Sequence, residues 1–67
     1  MSVMHIGLLL RDARQRAGLS VRDTASLLDV DKTTVVDWEA ARRSPQPRRR
    51  RQVEELIVKL ATKDEDR

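Results

Sequence analysis

The sequence has no cysteine, one histidine and one aromatic residue, Trp38, in 67 residues. Without cysteine, disulfides and thiolate metal sites are excluded, and a single histidine cannot build a zinc site alone. A surface that binds RNA by stacking bases on several aromatic rings is not expected either. We therefore expect no metal and no cofactor, and we place Trp38 in the core.

The sequence also lacks a long apolar run. No stretch approaches the roughly 20 residues that a membrane-spanning helix needs, so no membrane association is expected. The opening MSVMHIGLLLRD has no basic region before its apolar patch and no small-residue cleavage site, which favours the start of a helix over a signal peptide. His5 is expected to be a solvated side chain near the N-terminus.

No arrangement of side chains typical of catalysis is present. The aspartates Asp12, Asp23 and Asp29 are not accompanied by a nucleophile, a glycine-rich phosphate loop or metal-ligand spacing. We therefore do not expect an enzyme.

A chain this short forms one domain with a thin core, because it buries only about 60% of its unfolded surface.

Positive charge is concentrated in one segment. Residues 42–51, RRSPQPRRRR, contain six arginines and no acid, whereas the rest of the chain has eight basic and eleven acidic residues. The net charge of +3 thus hides a local excess of +6. A localised basic patch indicates a polyanionic partner. The alternative is a solvated, disordered linker.

Apolar residues spaced three and four apart predict four short helices and no strand. The predicted inward positions are Ile6, Leu9, Leu10, Ala13 and Ala17 in the first, Val21, Thr24, Ala25 and Leu28 in the second, Val35 and Trp38 in the third, and Val53, Leu56, Ile57 and Leu60 in the fourth. The predicted fold class is all-α, with a domain over residues 1–62 and a polar tail over 63–67.

Residues that start and stop helices support the same division. Gly18 is a typical stop for the first helix, and Ser20 with Asp23 resembles a capping box for the second. Asp31 is expected to cap the third helix, and Pro47 suits the first turn of the fourth. Only about three residues then join the second and third helices, which predicts a steep crossing, as in a helix-turn-helix.

Three segments resemble a known family. Residues 10–20 (LRDARQRAGLS), 25–39 (ASLLDVDKTTVVDWE) and 42–45 (RRSP) are similar to the lambda-repressor-like helix-turn-helix of phage Cro proteins and XRE-type bacterial regulators. The similarity runs from Ile6 to about Ala61. The positions in register are Arg14, Gly18, Leu19, Ser20, Ala25, Leu28, Val30, Thr34, Val35, Trp38, Glu39 and Pro45.

The resemblance implies a compact four-helix fold, with a central helix-turn-helix, that binds double-stranded DNA sequence-specifically as a homodimer. On this basis our main hypothesis is a Cro-like repressor of phage or mobile-element type that occludes a promoter at a short inverted repeat. The expected location is the cytoplasm of a bacterial or phage-infected cell, on the nucleoid when DNA is bound. The third helix would enter the major groove and read bases.

The resemblance also implies roles for individual residues. Base-reading positions are Lys32, Thr33, Val36 and Asp37. Phosphate-contacting positions are Ser20, Arg22, Thr34, Arg42, Arg43, Arg48, Arg49, Arg50 and Arg51. Arg14 and Glu39 match a pair that forms an internal salt bridge.

Four residues depart from the family pattern. Val21 replaces a glutamine that touches a phosphate, and Thr24 replaces a core leucine. Asp29 and Ala41 replace glycines, in the turn and after the third helix. The change at Val21 removes one expected contact with the DNA backbone. The other three changes are expected to cost stability without changing the fold.

Two questions stay open at this stage. Val36 and Asp37 suit a helix with unusual base preference, in which Val36 meets a thymine methyl and Asp37 accepts from a cytosine amine. Alternatively, the domain binds a protein and antagonises another regulator through an acidic patch of Asp29, Asp31 and Asp37. Apolar residues outside the predicted inward faces form either a protein interface or part of the core; they are Val3, Met4, Leu8 and Val58.

Overall fold

The computed structural model describes residues 5–65 of the chain, and four α-helices lie within them. They are α1 (Ile6–Arg16), α2 (Val21–Leu28), α3 (Lys32–Glu39) and α4 (Pro47–Glu65). No strand occurs within these residues, so the predicted all-α fold is confirmed. Helix α4 continues to residue 65, which takes helical backbone into the segment assigned to a polar tail. The division of the chain at residue 62 stays a prediction.

The core lies where α1, α3 and α4 meet, with α2 packed beside α3. Leu10 and Val35 are completely buried, and Val53 and Trp38 are nearly so. Trp38 is thus a core residue, as its spacing from Val35 predicted. The buried hydrophobic residues are Ile6, Leu10, Ala13, Ala25, Leu28, Val35, Trp38, Val53, Leu56 and Leu60.

The inward face of α1 differs from the predicted one. Leu9 is 40% exposed and Ala17 is exposed, although both were assigned to the core. Gly7 is buried instead, and its Cα lies directly against the backbone carbonyl of Trp38 in α3. This close approach turns α1 so that Gly7 faces α3 and Leu9 moves to the surface. Apolar spacing alone could not indicate the rotation, because a glycine carries no hydropathic signal.

Most helix boundaries follow the predicted local chemistry. The hydroxyl of Ser20 accepts from the Asp23 N–H at 2.9 Å, and the Asp23 carboxylate accepts from the Ser20 N–H at 3.2 Å. This reciprocal pair is the capping box predicted for α2. Gly18 has φ 73°, a left-handed conformation that ends α1, and Pro47 is the first residue of α4.

Two N-caps differ from the predictions. Asp31 occupies the N-cap position of α3, but its side chain makes no capping hydrogen bond. His5 is not simply solvated: its Nδ1 accepts from the Gly7 N–H at 3.0 Å, and its Nε2 lies 3.2 Å from the Ser44 hydroxyl. The imidazole therefore caps α1 and joins it to the loop before α4.

Thr24 is a buried polar residue whose hydroxyl has no partner. The side chain is completely buried in α2, and its Oγ1 makes no hydrogen bond. An unsatisfied buried hydroxyl costs about 1–3 kcal/mol, because its hydrogen bond to water is lost on folding. The departure from the family's leucine therefore weakens the core through polarity as well as through lost volume.

Thr24→Val is expected to raise the free energy of unfolding by about 1–2 kcal/mol, since valine keeps the side-chain shape and removes the hydroxyl. Urea denaturation followed by circular dichroism measures the change. Thr62→Val, at an exposed helical threonine, is the matched control and should stay within about 0.5 kcal/mol. An equal or larger gain at Thr62 would show that β-branched apolar substitution, and not the buried hydroxyl, is responsible.

Candidate nucleic-acid interface

The turn between α2 and α3 is fixed by backbone hydrogen bonds. Asp29 ends α2 in the left-handed conformation, with φ 59° and ψ 47°. The Val30 N–H then donates to the Ala25 carbonyl at 3.0 Å, and the Asp29 N–H donates to the Ser26 carbonyl at 3.2 Å. Aspartate tolerates this conformation better than most residues other than glycine. Two eight-residue helices are thereby joined by three residues, as predicted.

Helix α3 has one buried side and one open side. Val35 and Trp38 point into the core, and Thr34 is half-buried beside them. Lys32, Thr33 and Val36 are exposed on the other side, and Val36 is 42% exposed. Three of the four predicted base-reading residues therefore share an accessible surface of one short helix.

The fourth of these residues, Asp37, has a different environment. Its side chain is only 18% exposed, and its carboxylate lies 3.7 Å from a guanidinium nitrogen of Arg42 and 3.9 Å from one of Arg43. Its backbone carbonyl also accepts from the Arg42 N–H at 2.9 Å. These contacts depend on Ala41, whose φ of 62° folds the chain back after α3. The sequence reasoning missed them, because a spacing of five or six residues predicts no contact until that turn is known.

The basic segment is structured and its arginines are not equivalent. Arg42 and Arg43 are exposed in the loop after α3, whereas residues 48–51 lie in the first turns of α4. Residues 48–51 are therefore helical, and the alternative of a disordered linker is wrong for them. Arg49 is half-buried and donates to the Leu28 carbonyl and to Gln52 Oε1, both at 2.9 Å. Arg49 thus joins α4 to the end of α2.

The remaining arginines of α4 are on the surface. Arg50 pairs with Glu54 at 3.2 Å. Within the described side chains, Arg48 and Arg51 are exposed and form no ion pair. Among the described side chains of arginines 48–51, these two make neither an ion pair nor a hydrogen bond.

Arg14 and Glu39 form a two-pronged ion pair between α1 and the end of α3. Arg14 Nε donates to Glu39 Oε2 at 2.8 Å, and a second guanidinium nitrogen donates to Oε1 at 2.9 Å. The third nitrogen donates to the Leu19 carbonyl at 3.0 Å. Hydrogen bonding to Glu39 raises the pKa of Arg14, and burial opposes it. The pair therefore joins α1 to the last residue of α3.

The start of α2 presents two further predicted contact residues. Arg22 and Ser20 are both exposed, but the Ser20 hydroxyl already accepts from the Asp23 N–H. Val21, which stands where the family has glutamine, is half-buried against the core. Its side chain therefore contributes to packing and leaves this end of α2 with one polar group fewer.

The predicted apolar surface is only partly described. Leu8 and Val58 are 44% and 63% exposed, on α1 and α4 respectively, whereas Val3 and Met4 lie outside the described residues. Leu27, not singled out from the sequence, is 60% exposed on α2. It lines a surface cleft with Leu19, Leu56 and Leu60.

Neither a metal site nor a membrane span is found in the part of the chain that the structure describes. In that part of the chain, no cluster of three or more histidine, cysteine, aspartate or glutamate residues has an arrangement that could hold a metal ion. None of its helices is both long enough and apolar enough to span a lipid bilayer.

A family model described as a helix-turn-helix domain covers residues 5–67, which is nearly the whole chain. No curated protein and no solved structure shows significant similarity to this chain. The resemblance seen in the sequence is thus confirmed at the level of the helix-turn-helix family.

Proposed function

The chain belongs to the helix-turn-helix domain family, and on that premise we propose that it is a sequence-specific DNA-binding transcriptional regulator. The observation that carries the proposal is the open side of α3, which is followed along the chain by a loop and a helix start that hold six arginines. The major groove is about 12 Å wide and admits one α-helix. Helix α3 would lie in it with its N-terminal half against the bases.

Base recognition would rest on three exposed side chains of α3. Lys32 reaches the acceptors of guanine, Thr33 donates to or accepts from a base edge, and the methyl groups of Val36 meet a thymine methyl. Each good contact of this kind discriminates against the wrong base by about 1–3 kcal/mol. A helix with a single cation suffices, because affinity comes mainly from phosphate contacts outside it.

The arginines next to α3 would supply those phosphate contacts. Arg42 and Arg43 lie in the loop after α3, and Arg48 and Arg51 are exposed on the first turns of α4. The start of α4 adds backbone N–H groups that have no acceptor within the helix, a common arrangement for holding phosphate. Arg49 has a smaller part in this proposal, because its guanidinium already serves the Leu28 carbonyl.

We propose repression as the mode of action. A homodimer on a short inverted repeat, with half-sites about one helical turn apart, would cover a promoter and exclude polymerase. The exposed Leu8, Leu27 and Val58 offer apolar area for a second copy. The oligomeric state on and off DNA, measured by analytical ultracentrifugation, tests this part separately from DNA binding.

The double substitution Arg48→Gln/Arg51→Gln is expected to weaken binding to every duplex by the same factor. The plot of log affinity against log salt should flatten by about 1.8, since each lost phosphate contact removes about 0.9 from the slope. Thr33→Ala, in contrast, should change the preference at one base pair and leave the slope unchanged. Fluorescence anisotropy at several salt concentrations measures both, with the preferred duplex selected from a random pool.

The matched control is Arg11→Gln/Lys59→Gln, which removes two exposed charges from α1 and from the middle of α4. It should reduce the slope much less than the paired substitution at the start of α4. Equal losses in both double variants would mean that net charge alone matters, and would contradict this orientation on DNA. If the protein bound no duplex but bound another protein tightly, the alternative role would be favoured, in which the domain antagonises another regulator.

A further inference from the structure

The strongest unexplained feature of the surface is the group formed by Asp37, Arg42 and Arg43. The side chains of Arg42 and Arg43 are 72% and 69% exposed, whereas the Asp37 side chain is 18% exposed. The negative charge therefore belongs to a mostly buried side chain, and the two positive charges near it belong to exposed ones. The Asp37 carbonyl accepts from the Arg42 N–H, so backbone and side chain both tie the start of the loop to α3.

We propose that Asp37 is an internal counter-ion that positions Arg42 and Arg43 and lowers the affinity of the protein for DNA of any sequence. The inference rests on the proposed function and adds to it a residue that adjusts the balance between sequence-independent and sequence-specific binding. It replaces the role of base acceptor that the resemblance implied for Asp37.

The position of Asp37 in α3 supports the counter-ion role. It is the sixth of eight residues, in the half of the helix that carries the negative end of the dipole. A carboxylate there is unfavourable unless cations are close, and Arg42 and Arg43 provide them. The Asp37 side chain is also mostly buried and close to two arginines, so it is less accessible to a base than the exposed Lys32, Thr33 and Val36.

The distances leave both arginines able to bind phosphate. At 3.7 and 3.9 Å the guanidinium nitrogens are in ion-pair range of the carboxylate but beyond hydrogen-bond length. Their N–H groups therefore remain available as donors. The carboxylate nevertheless cancels one of the two charges, so that Arg42 and Arg43 together release about one counterion on DNA instead of two.

The test is Asp37→Asn on a duplex of random sequence over a range of salt concentrations. Removing the carboxylate should steepen the slope of log affinity against log salt by about 0.9, which corresponds to about eightfold tighter binding at 0.1 M salt. Asp37→Glu, which keeps the charge, should behave like the wild type. Asp12→Asn is the matched control, because Asp12 also pairs with an arginine, Arg16 at 3.1 Å. It makes the same change in net charge and should leave the slope nearly unaltered.

Other outcomes overturn the inference. If Asp37→Asn leaves the slope unchanged and loses preference at one base pair, Asp37 reads a base and is not a counter-ion. If no variant binds duplex DNA, the proposed function fails. Retention on a heparin column, which is a polyanion, then still tests whether Asp37 offsets the charge of Arg42 and Arg43. Asp37→Asn should then elute at higher salt than Asp12→Asn, and elution at the same salt contradicts the counter-ion role.

Discussion

Gly7→Ala is expected to destabilise the domain by about 3 kcal/mol, which is a large fraction of its total stability at 25 °C. A Cβ at this position would overlap the backbone carbonyl of Trp38, and a backbone atom cannot move aside as a flexible side chain can. Overpacking of a tight core contact costs about 1–3 kcal/mol or more. A domain of this length has only roughly 3–10 kcal/mol of stability, so the loss is a large fraction of the total.

The sign of this prediction is opposite to that from helix propensity. Alanine in the interior of an exposed helix is about 1 kcal/mol more favourable than glycine, so propensity alone predicts a more stable protein. Thermal and urea denaturation of the variant decide between the two. The control is Gly18→Ala, where no atom lies within 4 Å of the added Cβ but φ is +73°. It should cost about 1–2 kcal/mol from backbone strain alone. A Gly7 variant as stable as the wild type would show that α1 and α3 can separate at little cost.

The close approach at Gly7 explains what the sequence could not predict about the fold. The existence of the helices, the burial of Val35 and Trp38 and the capping box at Ser20 follow from local spacing and local hydrogen bonds. The rotation of α1 does not, because it depends on a backbone contact between Gly7 and a residue 31 positions away. The cap formed by His5 was missed for a related reason: imidazole is not among the usual capping side chains.

The features of the candidate interface were also only partly predictable from the sequence. Helical periodicity predicts that Lys32, Thr33 and Val36 lie opposite the buried side of α3, and the structure places them there. It cannot predict which arginines of a basic run are free. Arg49 binds the Leu28 carbonyl, and Arg42 and Arg43 flank Asp37, because the turn at Ala41 and the packing of α4 bring these groups together. Such contacts depend on tertiary structure, for which composition and spacing carry no signal.

The side of α3 that we propose reads DNA is expected to be oriented by a contact between α1 and α3. The ion pair between Arg14 and Glu39 joins α1 to the last turn of α3, and its side chains are only 13% and 9% exposed. Removing one partner leaves the other charge buried without compensation, which costs about 3–5 kcal/mol. Replacing both partners with apolar residues of similar volume is often close to neutral. The pair is therefore expected to matter more for the orientation of α3 than for net stability.

Glu39→Gln is accordingly expected to lower the free energy of unfolding by about 3–5 kcal/mol, and the double variant Arg14→Met/Glu39→Leu to recover to within about 2 kcal/mol of the wild type. Recovery is incomplete because the Leu19 carbonyl loses its donor. Glu54→Gln, which breaks the exposed pair with Arg50, is the control and should cost less than about 1 kcal/mol. Urea denaturation of all three variants gives these values. If the pair fixes the orientation of α3, the double variant should be folded yet discriminate less between duplexes. A double variant as unstable as Glu39→Gln would instead make the ion pair a net source of stability.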